Sequence, residues 1–160
     1  MRFQLSACVV AWCLAGTTLA QGKPDFTGRW VLVDSANASP EIARELDVRE
    51  SFDAPVTSLT VVRRSASGVR ADTYRIGLQG GTVGGVVGGE AGPRTLYSVG
   101  WTAETLVIET GSYWDSPRST RFEEHDERWA LDAQGRLVIT TIDRATGADS
   151  RTAQLVYRRP

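Results

Sequence analysis

Apolar and polar residues alternate along most of the chain, and this period of two is typical of β-strands. The clearest stretches are residues 28–33, 58–64, 69–78, 95–101, 105–110, 120–131, 137–143 and 152–159, with a less regular one at 48–52. Short turns separate them, many containing glycine or polar residues that end strands. The sequence therefore predicts an all-β fold of about eight or nine strands.

Antiparallel strands joined in sequence by short turns favour an up-and-down β-barrel, which leaves no strand edge unpaired. A β-sandwich is the alternative, although it would more often use Greek-key connections. One short helix is expected after the first strand, because Ser39 suits the N-cap, Pro40 the first helical position and Glu41 the first turn. Ile42 and Leu46, four residues apart, would share one face of that helix.

A glycine-rich segment interrupts the alternation. Glycine pairs recur at positions 80–81, 84–85 and 88–89, and Gly92 precedes Pro93. A phosphate-binding loop would need the lysine and the serine or threonine of a Walker pattern, and neither is present. Because glycine tolerates backbone angles that other residues avoid, we expect a long mobile hairpin loop here.

The N-terminal residues predict a secretory signal peptide. Arg2 provides a short charged region, residues 5–14 are almost wholly apolar, and the small residues Thr18 and Ala20 suit cleavage after position 20. The prediction divides the chain into a signal peptide, residues 1–20, and one barrel domain, residues 21–160. Both cysteines, Cys8 and Cys13, fall within the signal, so the mature domain is expected to have no disulfide in the periplasm or outside the cell.

Composition narrows the function classes. The 41% apolar content argues against disorder. The chain has 18 basic and 19 acidic residues; removal of Arg2 with the signal leaves 17 basic residues and a net charge of −2. This near-neutral balance argues against nucleic acid or an anionic membrane as a standing partner. After the signal, no stretch approaches the roughly 20 apolar residues that a transmembrane helix needs.

Two short motifs at the ends of the domain suggest a family. Gly28 and Trp30 form a Gly-x-Trp motif on the first strand, and Arg158 and Arg159 follow Tyr157 at the end of the last. This combination resembles the lipocalin and calycin barrels. The resemblance implies that the tryptophan packs across the closed end of a barrel and that an arginine covers its indole ring. An arginine in that position would make a cation–π contact.

The stretches around these motifs are also similar to those of small secreted bacterial proteins described as lipocalin-like, a group without an assigned function. Those proteins begin with Asp-Phe-Ser/Thr-Gly-x-Trp, here residues 25–30, and end with Leu-Val-Tyr-Arg-Arg, here residues 155–159. The sequence predicts neither the C-terminal helix nor the disulfides that many lipocalins carry, so the resemblance does not imply a ligand type.

The densest group of ionisable residues lies at positions 123–128. On a strand, Glu123, His125 and Glu127 share one face with Trp129 and point inward if Trp129 does. Carboxylates beside a histidine suit acid–base chemistry or metal binding. However, side chains two residues apart on a strand are separated by roughly 6.5–7 Å, so three in a row converge poorly on one ion. A polar strand facing solvent is the simpler interpretation, and we predict neither a catalytic residue, a metal nor a cofactor.

The aromatic residues are the other candidates. Those expected to line a ligand cavity are Tyr74, Tyr97, Trp101, Tyr113, Trp114 and Trp129. They would equally well form a filled core, since an eight-stranded barrel is only just wide enough for its side chains or one small ligand. Tyr113 and Trp114 are expected in a loop, where they would suit a pocket rim or a protein contact.

The sequence thus favours an exported, non-catalytic binding module that takes a small apolar ligand. The alternative is a protein-interaction barrel, similar to a protease inhibitor, that contacts a partner in the cell envelope through its loops and residues 21–25. An enzyme that uses Glu123, His125 and Glu127 is the third hypothesis.

Overall fold

The computed structural model describes residues 23–35, 41–53, 56–77, 83–87, 94–116 and 119–160. Its strands are β1 (Gly28–Ser35), β2 (Glu45–Asp53), β3 (Val56–Ser65), β4 (Gly68–Gly77), β5 (Val83–Val87), β6 (Arg94–Thr102), β7 (Thr105–Ser116), β8 (Ser119–Leu131), β9 (Leu137–Ala145) and β10 (Arg151–Arg158). Within these residues the structure has no helix long and apolar enough to cross a membrane. The predicted signal peptide lies outside them.

The ten strands form one antiparallel sheet in the order β4-β3-β2-β1-β10-β9-β8-β7-β6-β5. Each strand pairs with a neighbour in the chain, and β1 joins β10. The terminal strands β4 and β5 approach without a hydrogen-bonded ladder, and across this seam the rings of Tyr74 on β4 and Tyr97 on β6 meet edge to face, with centroids 6.4 Å apart. The prediction of an all-β, up-and-down antiparallel barrel is confirmed. In its described part the barrel has ten strands where eight or nine were predicted, and it is nearly closed where full closure was expected.

The interior is built by the alternation that the sequence shows. The fully buried large side chains are Trp30, Leu46, Val48, Val61, Val99, Leu106, Ile108, Trp129, Leu137, Ile139 and Tyr157. Each buried aliphatic side chain contributes about 1.5–3 kcal/mol relative to exposure. Inward-facing positions therefore hold the barrel together, and polar residues at such positions stand out.

Two segments predicted as loops contain strands. β5 lies inside the glycine-rich segment and pairs with residues 95–99 of β6. Tyr113 and Trp114 lie in β7, which extends to Ser116. The loop prediction rested on the glycines of residues 80–92 and overlooked the β-branched residues Val83, Val86 and Val87. Their strand propensity, together with the pairing to β6, outweighs the cost of placing glycine in a strand.

The predicted helix is not found among the described residues. Residues 41–44 form a turn, and Leu46, expected on the helix, lies in β2 with its side chain fully buried. Ser39 and Pro40, where the helix would begin, lie outside the described residues. Leu46 and Val48 alternate inward along β2, so the weakly patterned stretch at 48–52 is a strand, as predicted.

The N-terminal segment closes one end of the barrel. The Trp30 Nε1–H donates to the carbonyl oxygen of Phe26 at 2.8 Å. The Phe26 ring stacks on Trp101 with centroids 5.7 Å apart and meets Trp129 edge-on at 5.9 Å. Residues before β1 therefore fold across the barrel end and seal it with aromatic rings, an arrangement we call the closed end.

An arginine lies over the tryptophan of this closed end. The guanidinium carbon of Arg159 is 4.8 Å from the Trp30 ring centroid, and its Nη2 donates to the carbonyl oxygen of Asp25 at 3.3 Å. Gly28 has a φ of +114°, and a Cβ built there would lie 3.5 Å from Arg159 Nη1. Glycine thus lets β1 begin at an angle that other residues rarely adopt, directly beneath Arg159.

Candidate functional site

A charged cluster lies inside the barrel, next to the closed end. At its centre is Glu127 of β8, which is only 7% exposed. Its Oε2 accepts from Arg63 Nη2 at 2.9 Å and from Trp129 Nε1 at 2.7 Å, and its Oε1 lies 3.2 Å from His125 Nε2. Both carboxylate oxygens are therefore satisfied, as burial of a charge requires.

Arg63 of β3 is the main counter-charge of Glu127. Its side chain is 18% exposed, and its guanidinium carbon lies 5.7 Å from the Trp129 ring centroid. A longer contact joins Arg63 Nε to Asp72 Oδ2 of β4 at 3.4 Å. The β3, β4 and β8 strands thus meet through one buried ionic network.

His125 extends this network of ion pairs towards the other end of the barrel, which we call the open end. Its Nδ1 is 2.5 Å from Asp143 Oδ1 of β9, directly opposite in the β8–β9 register, while Nε2 faces Glu127. The His125 side chain is 44% exposed and that of Asp143 is 56% exposed. The imidazole therefore links a buried carboxylate to one that solvent reaches.

The pKa values reflect these contacts. The hydrogen bond that His125 donates to Glu127, together with the one to Asp143, raises the pKa of His125 to about 9 against the effect of its burial. Burial alone would raise the pKa of Glu127, but the charge of Arg63 and the contact with His125 lower that pKa to about 2. His125 is thus an imidazolium and Glu127 a carboxylate at neutral pH.

A cavity of about 330 Å³ opens beside His125 and Asp143 at the open end. It lies between β7, β8, β9 and the start of β10. Its walls combine the hydroxyl-bearing Thr110 and Ser112 and the small residues Ala145 and Ala148 with charged residues. The charged residues besides His125 and Asp143 are Glu123, Glu124, Arg144, Asp149 and Arg151. The volume lies within the range of small-molecule sites, which bury an apolar body and orient it with a few polar groups.

The predicted acid–histidine stretch is only partly assembled. His125 and Glu127 point inward with Trp129, which was the alternative to a strand facing solvent, but Glu123, on the same face, is exposed near the open end. Among the described residues, no group of three or more histidine, cysteine, aspartate or glutamate side chains is placed to hold a metal ion.

The predicted aromatic residues do not form one cavity lining. Trp101 and Trp129 belong to the closed end, where Phe26 joins them, and Tyr74 and Tyr97 meet at the β4–β6 seam. Tyr113 lies on the outer face of β7 and is 38% exposed. The side chain of Trp114 lies outside the described part of the structure.

Sequence reasoning missed Arg63 and Asp143, and the alternation contained the signal for both. Arg63 follows the buried Leu59 and Val61 at steps of two, and Asp143 follows Leu137 and Ile139 in the same phase. A charged residue in the inward phase of a strand needs a buried or open-end partner. What the sequence does not reveal is which strands bring the partners together.

The fold and the site define an all-β, nearly closed antiparallel barrel that is compatible with a lipocalin-like fold. No protein-family model matches the chain, and no curated protein or solved structure matches it either.

Proposed function

We propose that this protein is an exported, non-catalytic binding module of lipocalin-like architecture that takes a small, largely apolar ligand at the open end of its barrel. The observation that carries the proposal is the 330 Å³ cavity beside His125 and Asp143. Aromatic residues seal the opposite end, and the Arg63–Glu127 pair occupies the interior between them. The open end is therefore the part of the interior that a ligand reaches.

Binding suits this site better than acid–base catalysis. Both ring nitrogens of His125 face carboxylates, and the raised pKa of about 9 keeps the ring protonated at neutral pH. A general base needs a free nitrogen and a pKa near the working pH. An imidazolium held in this way orients Asp143 at the cavity wall and leaves no nitrogen to accept a proton.

The protein-interaction alternative has less support. It placed the partner surface on residues 21–25 and the loops. Within that segment, Lys23 Nζ lies 5.5 Å from the Trp101 ring centroid, and Thr27 bonds to the Asp25 carboxylate at 2.8 Å. Residues 23–25 thus pack on the closed end, whereas an inhibitory segment would extend from the barrel.

A neutral fluorescent probe tests the binding proposal. N-phenyl-1-naphthylamine should bind with a dissociation constant of about 1–100 µM, the range expected for an apolar molecule of that size in an open cavity. Ala145→Phe places a ring in the cavity and should abolish the signal. Val33→Phe, at the bulge of β1 where Val33 is already 44% exposed, is the matched control and should leave the signal unchanged.

Two results would contradict binding at the open end. One is that the probe shows no fluorescence change and that a homologous series of alkyl alcohols leaves the tryptophan fluorescence of the protein unchanged. The other is an Ala145→Phe variant that binds as tightly as the parent chain. Export is tested separately: the protein recovered from the cell envelope or medium should begin at Gln21, and a chain that retains residues 1–20 in the cytoplasm would overturn that part.

A further inference from the structure

A second cavity lies on the outer face of the sheet, away from the barrel interior. This outer groove has a volume of about 480 Å³ and crosses β6, β7 and β8. The side chains that define it are Leu96, Glu109, Tyr113, Asp126, Arg128 and Arg144. These side chains occupy the opposite phase of their strands from the buried Val99, Ile108 and Trp129. The groove borders the open-end cavity, and Thr110, Glu124 and Arg144 line both.

A missing side chain creates the groove. Gly111 occupies the outward position of β7 between Leu96 of β6 and Glu124 of β8 in the sheet register. A Cβ at Gly111 would lie 2.9 Å from Cε2 of the Tyr113 ring. The glycine therefore lets the Tyr113 ring lean back over the strand and leaves a depression beside it. Tyr113 is nevertheless 38% exposed, so part of its ring faces the groove.

Acidic and basic side chains both surround the Tyr113 ring. Ser98 donates to Glu109 Oε2 at 2.6 Å, and Arg144 Nη1 donates to Asp126 Oδ2 at 2.7 Å and lies 3.7 Å from Glu124 Oε2. The exposed side chain of Arg128 has no ion-pair or hydrogen-bond partner in the described part of the chain. Carboxylates and guanidinium groups thus offer acceptors and donors side by side with little net charge.

We propose that this outer groove binds a carbohydrate chain of neutral sugar units. A pyranose ring has an apolar face of C–H groups, which suits the negative face of an aromatic ring, and a rim of hydroxyls that both donate and accept hydrogen bonds. Tyr113 supplies the aromatic surface, while Glu109 and Arg128 supply an acceptor and a donor on neighbouring strands. A strongly charged ligand fits less well, because Arg144 already neutralises part of the acidic row.

The groove's shape also suits a chain of sugars. It runs across three strands that lie about 4.8 Å apart, so it spans roughly 10 Å, the length of about two pyranose units. A free monosaccharide would fill only part of it and should bind more weakly than a tetramer.

Titration with two soluble neutral tetrasaccharides, cellotetraose and N-acetylated chitotetraose, tests the proposal by ¹H–¹⁵N spectra of the purified protein. At least one should shift the amides of Leu96, Gly111, Tyr113 and Arg128 with a dissociation constant of about 0.1–5 mM, as expected for an exposed site with few anchors. Both tetramers binding would indicate recognition of the sugar ring, and one alone would indicate recognition of its substituents.

Variants separate the aromatic surface from the fold. Tyr113→Ala should weaken binding at least about tenfold, and Tyr113→Phe should retain it within about threefold, because the ring carries the contact. Gly111→Ala keeps the tyrosine but displaces its ring, and should also weaken binding. Phe52→Ala removes another exposed aromatic, 66% exposed on β2, and should change nothing.

The proposal is overturned if neither tetrasaccharide shifts the groove amides at about 20 mM, a concentration that populates even weak sites. Shifts that persist at full strength in Tyr113→Ala would also overturn it. Because the probe and variants differ from those of the open-end site, either result leaves the apolar-ligand proposal unaffected.

Discussion

The two ends of the barrel are made from the same strands but from different chemistry. At the closed end, Trp30 and Trp129 are fully buried and Arg159 covers the indole of Trp30. At the open end, the same inward phase carries His125 and Asp143, which are about half exposed. One end is an aromatic seal and the other a polar entrance. An inward-facing side chain is therefore not always part of the core. Its position along the strand determines whether it is buried and stabilises the fold or is reached by solvent and ligands.

Glu127 marks the boundary between these two ends. Its Oε2 bonds to Trp129 on the closed side and its Oε1 faces His125 on the open side. The ion pair with Arg63 lets a carboxylate occupy a place where the alternation would otherwise require an apolar side chain. Variants at each end and at this boundary should therefore affect the protein in graded and distinguishable ways.

The largest effect is expected at the closed end. Trp30→Ala removes a fully buried ring that bonds to Phe26 and underlies Arg159, so it should lower the free energy of unfolding by about 3–5 kcal/mol. Phe52→Ala, at a 66% exposed position of β2, should change it by less than about 0.5 kcal/mol. Urea denaturation of both variants measures the contrast, and equal midpoints would show that the closed end does not hold the barrel together.

The second largest effect on the free energy of unfolding is expected at Glu127, the boundary between the two ends. Glu127→Gln leaves the buried Arg63 without its main counter-charge, with only the longer contact to Asp72, and should lower the free energy of unfolding by about 3 kcal/mol. Adding Arg63→Met to that variant removes the stranded charge and should recover part of the loss. A double variant that is less stable than Glu127→Gln alone would show that Arg63 stabilises the fold through contacts other than the ion pair.

The open-end histidine predicts a pH dependence of stability. The pKa of His125 is raised from 6.5 to about 9, so its contribution is complete below pH 6.5 and is lost as the pH rises through 9. The pKa of Glu127 is lowered from 4.5 to about 2, so its contribution is complete above pH 4.5 and is lost as the pH falls towards 2.

Thermal unfolding from pH 2 to 10 checks this expectation. The melting temperature should be highest between about pH 4.5 and 6.5, because both contributions are complete there. His125→Gln should flatten the decline between pH 6.5 and 9 while keeping the decline on the acid side. An alkaline decline of unchanged size in this variant would assign it to another group.

The strand pattern made the architecture predictable, while the site depended on distant pairings. Alternation in stretches such as 58–64 and 137–143 identified strands β3 and β9, and it placed His125 and Glu127 on the same face as Trp129, without deciding whether that face points inward. The partners of those residues could not be predicted, because Arg63 lies 64 residues from Glu127 and Asp143 lies 18 from His125. Their proximity results from barrel closure and register, which local pattern does not encode.

In the glycine-rich segment, the local sequence pattern predicted the wrong kind of element. Local composition there indicated a loop, yet β5 forms because β6 offers a partner edge for its backbone. Likewise Ser39 and Pro40 suggested a helix start, but the buried Leu46 and Val48 follow the period of two, and pairing of β2 with β1 and β3 decides the outcome. Tertiary pairing overrides local propensity where a hydrophobic face has a sheet to join.

The smallest effect distinguishes the two C-terminal arginines. Arg159 lies over Trp30 at 4.8 Å, whereas Arg158 is exposed on β10 opposite Val31. Arg159→Ala should therefore lower the free energy of unfolding by about 0.5–1 kcal/mol, the size of an exposed cation–π contact, and Arg158→Ala should leave it unchanged. Denaturation of each variant in the parent chain and in Trp30→Phe completes a double-mutant cycle, in which only Arg159 should couple to position 30. Coupling of Arg158 instead would mean that the strand register at the end of β10 is shifted by one residue, and that the closed end is covered from the other face.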